Sequence, residues 1–507
     1  MILEEILNGI DTLSISGDTG IDIAGLSYDS RKVSKDYLFF ALAGEHADGH
    51  TYIRKAVESG AAAVVYERPN PPAAKFAFSS LNQQERRKGG HGGITDHGAV
   101  LIRVNDSRSA LALASNNFFQ WPSRFLQVTG ITGTNGKTTT TYLLKAILEE
   151  WGQKVGLIGT IQYMTKDVVC DAIHTTPEAL EFQALLQEML AADCGYVITE
   201  VSSHALAQKR VDGTVFKCAV FTNLTREHLD FHKTMEDYFA AKTRLFTELL
   251  GNNAKAVINH DDPWGRKLIS LIKGDVYTYG LEPGADLMAS GIHDSFSGLK
   301  FSLVFRGREY DIVSSLIGLP NVYNILAAAG VAFSLGVPWE VILGGIRKAA
   351  PVTGRFEKVD AGQEFLAIVD FAHTEDALER LICTARGLSR GKIITVFGCG
   401  GDRDRGKRPV MGALATRLSD FVIITSDNPR SEKPEEIIAE IEAGAVRKNY
   451  LAEPDRKEAI KRAVLMAGKE DIVLIAGKGH ETYQEISGKK YRFNDREILE
   501  ETIKQLI

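Results

Sequence analysis

Along most of this chain, short and nearly continuous apolar runs give way to stretches in which apolar residues recur at helical spacing. The runs "FLQVTGI" (125–131) and "CGYVITEV" (194–201) belong to one such series, and "EFLAIVD" (364–370), "KIITVFG" (392–398), "DFVIITS" (420–426) and "DIVLIAG" (471–477) form another. A strand apolar on both sides is buried on both faces, so strands of this kind alternating with helices predict an α/β fold of parallel sheets covered by helices. The turn-like "APVTG" (350–354) separates the two series. Before residue 108 the pattern is shorter and mixed, with "LSYDSRKV" and "YLFFALAG", followed by the polar tract "SSLNQQERRKGGHGGITDHG" (79–98), which reads as a solvated, flexible surface loop. Three regions result, 1–107, 108–350 and 351–507, without internal repeat, coiled coil or low-complexity tract.

Length agrees with this division, because 507 residues exceed the roughly 100–200 of one domain. Hydrophobic residues at 44%, charged residues at 24% and a net charge of -6 are those of an ordinary soluble protein and argue against a nucleic-acid partner. The start "MILEEILNGI" lacks the basic flank of a signal peptide, and no apolar run reaches the roughly 18–20 residues that cross a bilayer. The expectation is a cytoplasmic monomer with no membrane contact. Cys170, Cys194, Cys218, Cys383 and Cys399 are scattered, with no CxxC pair, which fits free thiols in a reducing compartment rather than disulfides or zinc.

The clearest chemistry lies in "VTGITGTNGKTTTTYLLKAIL" (128–148). Gly133, Thr134, Asn135, Gly136, Lys137, Thr138 and Thr139 follow a strand and open a helix, so backbone N–H groups and the helix N-terminus can face phosphate oxygens. Lys137 adds a point charge, and Thr138 offers a hydroxyl to Mg²⁺. The loop departs from G-x-x-x-x-G-K-[ST]: Ile131 stands at the first glycine position and Gly130 lies one residue upstream. ATP or GTP binding follows. Glu200 ends an apolar strand at the edge where parallel sheets take ligands, either as a Mg²⁺ carboxylate or as a cap on the next helix. In "FTNLTREHLDFH", His228, Asp230 and His232 crowd together; by residue type alone they read as satisfied loop histidines, since Mg²⁺ prefers oxygen. Lys242, in "DYFAAKTRLF", has the pattern of a solvated charge on an amphipathic helix. Pro320 can start a helix on which Asn321 and Asn324 share a face, with capping and ligand roles both open for Asn321.

The motifs "TGTNGKTTT", "HTTPEALEFQ", "EVSSHALAQKRV", "TNLTREHLDFH", "GLPNVYNILAA", "GRFE", "DFAHTEDAL", "FGCGGDRDRGKRP", "DNPR" and "AGKGHETYQ", in this order along nearly the whole chain, resemble the Mur ligase family of peptidoglycan-precursor enzymes. The resemblance implies an N-terminal UDP-binding domain, a central P-loop ATPase domain and a C-terminal Rossmann-like domain for an incoming amino acid. It is greatest to the members that use ATP to add meso-2,6-diaminopimelate to the D-Glu of UDP-N-acetylmuramoyl-L-Ala-D-Glu through an acyl phosphate, forming ADP. Carried over by motif, Thr138 and Glu200 serve one Mg²⁺ site and His228 a second, while Lys137 neutralises phosphate. Lys242 reacts with CO₂ to give a carbamate that helps bind Mg²⁺, which requires a neutral amine. Asn324, Arg355 and Asp370 take the rest of ATP; Ser30, Thr175, Thr176, Ser202, Gln208 and Arg210 take the UDP-sugar peptide. Glu375 stands where the family has proline, which puts the local loop shape in question.

In the third region "GGDRDRG", "DNPR" and "GKGHE" each follow an apolar run, so Arg403, Asp427, Asn428, Pro429, Arg430, Gly477 and Glu481 can converge at one sheet edge. The resemblance makes this the diaminopimelate pocket. Arg430 would take the distal carboxylate as a bidentate fork, and Asn428 and Glu481 the distal ammonium. Such a site discriminates against an analogue lacking the charged group, on the order of 10⁴-fold. Related readings are addition of L-lysine by the same fold, a folylpolyglutamate synthase-like ligase, and a nucleotide switch without ligase activity. Three domains sharing one reaction also suggest closure about hinges near 107 and 351.

Overall fold

The computed structural model describes residues 1–44, 47–69, 98–166 and 168–506; all but the last residue of the polar 79–98 tract falls outside them. Among the described residues three large sheets each carry apolar clusters on both faces, and a two-stranded hairpin, Tyr483–Ile486 with Lys489–Arg492, makes a fourth sheet. The first has strand order 12–16, 100–104, 61–66, 37–40, 25–27, parallel except for Thr12–Ser16 at its edge.

The second sheet has eleven strands. Its centre is parallel, in the order Asp275–Gly280, Leu250–Asn259, Phe216–Phe221, Gln127–Thr132, Tyr196–Glu200, Val155–Ile158. The apolar runs predict this part. They do not predict the antiparallel flanks, Leu287–Ser295, Gly298–Phe305 and Arg308–Ser314 on one side and Gln162–Met164 and Val169–Asp171 on the other. Gly298–Phe305 and Arg308–Ser314 alternate in burial, because one face of each is wet, while Gln162–Met164 is half-buried throughout and Val169–Asp171 exposed throughout. Helices Lys137–Glu150, Leu319–Ser334 and Trp339–Lys348 bury one face of the sheet and helices Ala179–Ala191 and Met235–Thr247 the other.

The third sheet has order 357–359, 366–370, 472–476, 393–397, 421–425, 450–453. Its four inner strands are the four apolar runs of the sequence, fully parallel. The outer two lack such runs: Glu357–Val359 pairs antiparallel and Tyr450–Glu453 is half-exposed. Helices Glu375–Leu388, Lys407–Leu418 and Pro434–Glu442 pack on one face, Arg456–Met466 and Asp495–Leu506 on the other. The five cysteines are free thiols, and no described helix is long and apolar enough to cross a membrane.

Register decides what meets at the sheet edges. Glu200 lies opposite Ile131 and Thr132 opposite Phe221, so the loops after these three strands leave the same edge side by side. In the third sheet Asp370 lies opposite Ala476 and Phe397 opposite Ile424, so the loops after those strands also share an edge.

Candidate active site

The loop after Gln127–Thr132 folds as the sequence predicts, and its geometry explains the displaced glycine. Gly130 sits within the strand, where an added Cβ would meet the Phe216 ring. The close approach occurs at Gly133, whose φ is +142° and whose Cβ would lie 1.9 Å from Thr222 Oγ1. Only glycine suits that position. Gly136, with φ +87°, precedes helix Lys137–Glu150, whose first-turn N–H groups lack intrahelical carbonyls and are available to phosphate. The loop is braced from its neighbour: Thr134 N donates to Asn223 O at 2.8 Å and Asn135 N to Asn223 Oδ1 at 3.0 Å.

Glu200 is fully buried. Its carboxylate accepts from Thr138 Oγ1 at 2.9 Å, Thr160 N at 2.8 Å and Thr160 Oγ1 at 3.0 Å. It does not cap the following helix; Ser202 does, accepting from Ala205 N. Glu200 and Thr138 are therefore adjacent oxygen donors beside the phosphate loop, a donor set that suits Mg²⁺. No cluster of three His, Cys, Asp or Glu side chains with metal-holding geometry occurs among the described residues.

The solvated reading of Lys242 is wrong. The residue is only 1% exposed, and its Nζ donates to Gly133 O at 2.9 Å and lies 4.6 Å from the centroid of Tyr238. Lys137 donates to the same carbonyl at 3.0 Å and to Thr134 O at 2.8 Å. Burial, and then the positive charge of Lys137, hold the Lys242 amine well below the usual lysine range, with Glu227 opposing weakly. Periodicity misplaced this residue because the second sheet and the loop cover a helix face that isolated helical spacing assigns to water. Lys137 is lowered too, chiefly by burial, with Arg355 contributing; Arg355 thus acts on the phosphate loop from the third region.

His228 occupies the left-handed region at φ 56°, its ring edge-on to His204 at 4.7 Å and 3.7 Å from Glu227. Burial lowers its pKa. It is half-exposed rather than satisfied in a loop, and His204 and Glu227, which no motif argument singled out, are its partners. His232, by contrast, is buried against Tyr238.

Asn324 meets the loop directly, accepting from Thr140 Oγ1 at 3.3 Å. Asn321 is not a cap: its Nδ2 donates to Ile317 O and its Oδ1 accepts from Asn324 Nδ2. Arg355 lies over the Phe371 ring at 4.9 Å. The Asp370 carboxylate accepts from Phe356 N and Ala372 N, so it shapes the 354–372 turn in addition to any ligand role. Glu375 begins helix Glu375–Leu388 after the Thr374 cap, a first-turn position that favours an acidic side chain as well as proline. Asp376 beside it accepts from Asn135 Nδ2 and Thr225 Oγ1, tying the third domain to the phosphate loop.

Five of the six proposed sugar-peptide residues lie together, and Ser30 stands apart from them. Arg210 donates to Thr176 O and Gln208 Oε1 and pairs with Glu178 at 3.0 Å; Thr176 Oγ1 accepts from Ser202 N; and Thr175 and Thr160 hydroxyls are 3.1 Å apart. Ser30 is buried in the first domain, and nearby Tyr28 donates to Glu181 Oε1 across the domain boundary.

At the third sheet's edge the separate loops do converge. Arg430 donates to Gly401 O at 2.6 Å and lies 3.5 Å from Glu485, and a Cβ on Gly400 would meet both Arg430 and Arg403. Asn428 Nδ2 donates to Glu481 Oε2 at 2.8 Å. Gly477, with φ +118°, has no room for a side chain against Asp427. Pro429 is buried under the loop and Arg403 is exposed at its rim. Two residues that sequence reasoning passed over hold this edge. Arg408, fully buried, forks onto Glu432 with two bonds of 2.8 Å and binds Glu440, while Lys478, also fully buried, contacts Asn428 and Glu481.

Comparison with known proteins finds the same family along nearly the whole chain. Residues 22–119 match the Mur ligase family catalytic domain, 131–332 the Mur ligase middle domain and 354–479 the Mur ligase glutamate ligase domain. A protein of Solibacter usitatus named UDP-N-acetylmuramoyl-L-alanyl-D-glutamate--2,6-diaminopimelate ligase is 47% identical over 95% of this chain and 94% of its own. One of Clostridium acetobutylicum, named as the first such ligase of that organism, is 42% identical over the whole of both chains. A solved structure with the same enzyme title superposes with a TM-score of 0.68 at 31% identity, covering 100% of this chain and 99% of that one. With similarity this high from end to end, and three domain matches in the same order as the three sheets, this chain belongs to the Mur ligase family.

Proposed function

We propose that this protein is the ATP-dependent, ADP-forming ligase that joins meso-2,6-diaminopimelate to the D-Glu carboxyl of UDP-N-acetylmuramoyl-L-Ala-D-Glu in peptidoglycan precursor synthesis. The observation that carries this reading is the convergence of Arg403, Asn428, Arg430 and Glu481 at one sheet edge, in a chain whose full-length relatives bear that enzyme's name. Residues 1–107 would bind UDP with Ser30, residues 108–350 ATP, and residues 351–507 the amino acid.

An amide does not form from a carboxylate and an amine in water without activation. The D-Glu carboxylate oxygen attacks the γ-phosphorus of ATP and ADP leaves; the amine then attacks the acyl carbon, and the tetrahedral intermediate expels phosphate. Bringing two anions together requires fixed positive charge. Lys137 supplies it by leaving its loop carbonyls for phosphate oxygens. Thr138 and Glu200 would hold one Mg²⁺ and His228 a second, with the carbamate of Lys242 helping to bind Mg²⁺, which when bound supplies further neutralisation of phosphate. The neutral amine favoured at Lys242 is the form that adds to CO₂, losing a proton to solvent. Asn324, Arg355 and Asp370 orient the nucleotide, and the cluster of Thr175, Thr176, Ser202, Gln208 and Arg210 the peptide. Arg430 takes the distal carboxylate, which L-lysine lacks. Closure about the linkers near 107 and 351 would exclude water from the acyl phosphate. The proposal includes a cytoplasmic monomer, which size-exclusion chromatography tests in part.

The test is the product mass from purified protein, ATP, the UDP-muramoyl dipeptide and either diaminopimelate or lysine. The diaminopimelate adduct is expected, with ¹⁸O from the D-Glu carboxyl recovered in phosphate. A lysine adduct, or ATP hydrolysis independent of both substrates, overturns the reading.

A further inference from the structure

Lys478 has no solvent-exposed surface, although it follows strand Ile472–Ala476 into a loop where a lysine could easily reach water. Glycines on both sides turn it inward: Gly477 has φ +118° and Gly479 φ +52°. The side chain ends among three polar partners. Its Nζ donates to Asn428 Oδ1 at 2.9 Å and to Glu481 Oε2 at 3.0 Å, and stands 3.8 Å from Asp427 Oδ1.

These contacts orient the groups around them. Asn428 Oδ1 accepts from Lys478 and from Glu485 N at 2.9 Å, so the amide cannot turn over without losing both bonds. Its Nδ2 is thereby aimed at Glu481 Oε2. One cation also faces two carboxylates, Asp427 and Glu481, and the neighbouring buried cation Arg456 is already matched by Asp495. The cluster is left one negative charge in excess, which complements one ammonium group. A buried charge is tolerated only when it is paired and hydrogen-bonded, and here the pairing fixes the two side chains that would receive the amino acid's distal ammonium.

We infer that Lys478 is a positioning residue for amino-acid selection, acting through Asn428 and Glu481 to present a singly negative, correctly oriented acceptor to the ammonium of the incoming diamino acid. This rests on the proposed function. It places the specificity of the third domain one layer below Arg430, in a residue that need not touch the substrate.

The experiment is steady-state kinetics of Lys478→Met, Glu481→Gln and the double variant, each substrate varied in turn. Lys478→Met is expected to raise KM for diaminopimelate about tenfold while KM for ATP and for the UDP-substrate, and kcat, change by less than about twofold. In the double variant the two effects should be less than multiplicative, because Lys478 works partly through Glu481. Unchanged KM for diaminopimelate in Lys478→Met, equal rises in all three KM values, or fully multiplicative effects overturn the inference. If Lys478→Met does not fold, the double variant, which removes one charge of each sign, still decides it: a KM for diaminopimelate about tenfold or more above that of Glu481→Gln alone is the overturning result, and a smaller difference supports the inference. Failure of the wild-type protein to use diaminopimelate at all is a different outcome, and defeats the functional reading itself.

Discussion

Lys242 in the central domain and Lys478 in the third domain are both shut away from water, yet their surroundings are opposite. Lys242 meets a carbonyl, an aromatic ring and a second lysine. Lys478 meets an amide oxygen and two carboxylates. Burial beside a cation weakens the case for a proton and leaves an amine able to react; burial beside anions makes the cation part of the architecture. The same side chain thus lies beside a cation in one domain and between anions in the other, and the difference lies in which loop ends the folded sheets bring against it.

That contrast can be broken by substitution. The largest effect is expected at Lys242→Met: kcat should fall about 10³-fold, about 4 kcal/mol in the barrier, without a lower melting temperature, because the lost amine had no anion to bind. Bicarbonate added to CO₂-depleted protein should restore the wild type and not the variant; retention of a tenth of the activity by Lys242→Met would refute a reactive role.

Next is the fully buried Arg456–Asp495 pair, at 2.6 Å, which braces the ends of two strands through Ser426 O and Ala476 O. Arg456→Met should cost about 3 kcal/mol in chemical denaturation by stranding Asp495, whereas Arg456→Met with Asp495→Leu should recover most of it. Equal losses in single and double variants would show that packing, not charge matching, governs this domain. The Lys478 variants described above are intermediate in size and test the same principle at the substrate.

The smallest effect is at His480, half-buried against Phe371 beside Arg355 and His373, where desolvation first and the Arg355 charge second push its pKa down to about 4 from the usual 6.5. Between those values the unfolded chain binds a proton that the folded chain refuses, so this residue's contribution makes stability fall as pH drops from about 6.5 towards 4. His480→Phe should keep the ring contact and flatten the decline in melting temperature between pH 7 and pH 5; an unchanged decline would assign it to other groups.

Much of the architecture is readable from pattern. The four inner strands of the third sheet are its four apolar runs, and the strand-loop-helix of the phosphate site needs only glycines, a lysine and threonines at fixed spacing. Edge strands such as Tyr450–Glu453 escaped because half-exposed segments carry no continuous apolar signal. Helical spacing placed Lys242 in water, and only resemblance to a family pointed the other way. Nothing in the spacing of Arg408, Arg456 or Lys478 distinguishes them from surface charges.

By itself the sequence determined the inner strands of the parallel sheets, where phosphate can be held and which family the chain joins, because periodicity, glycine placement and strand-to-helix turns are local properties. Only the tertiary structure decided which charges are matched: Glu200 against Thr138 and Thr160, Lys242 against Gly133 O, Lys478 between Asn428 and Glu481. Those partners lie up to 109 residues apart in the chain, and the field at a buried group depends on distances and desolvation that sheet register and loop packing create.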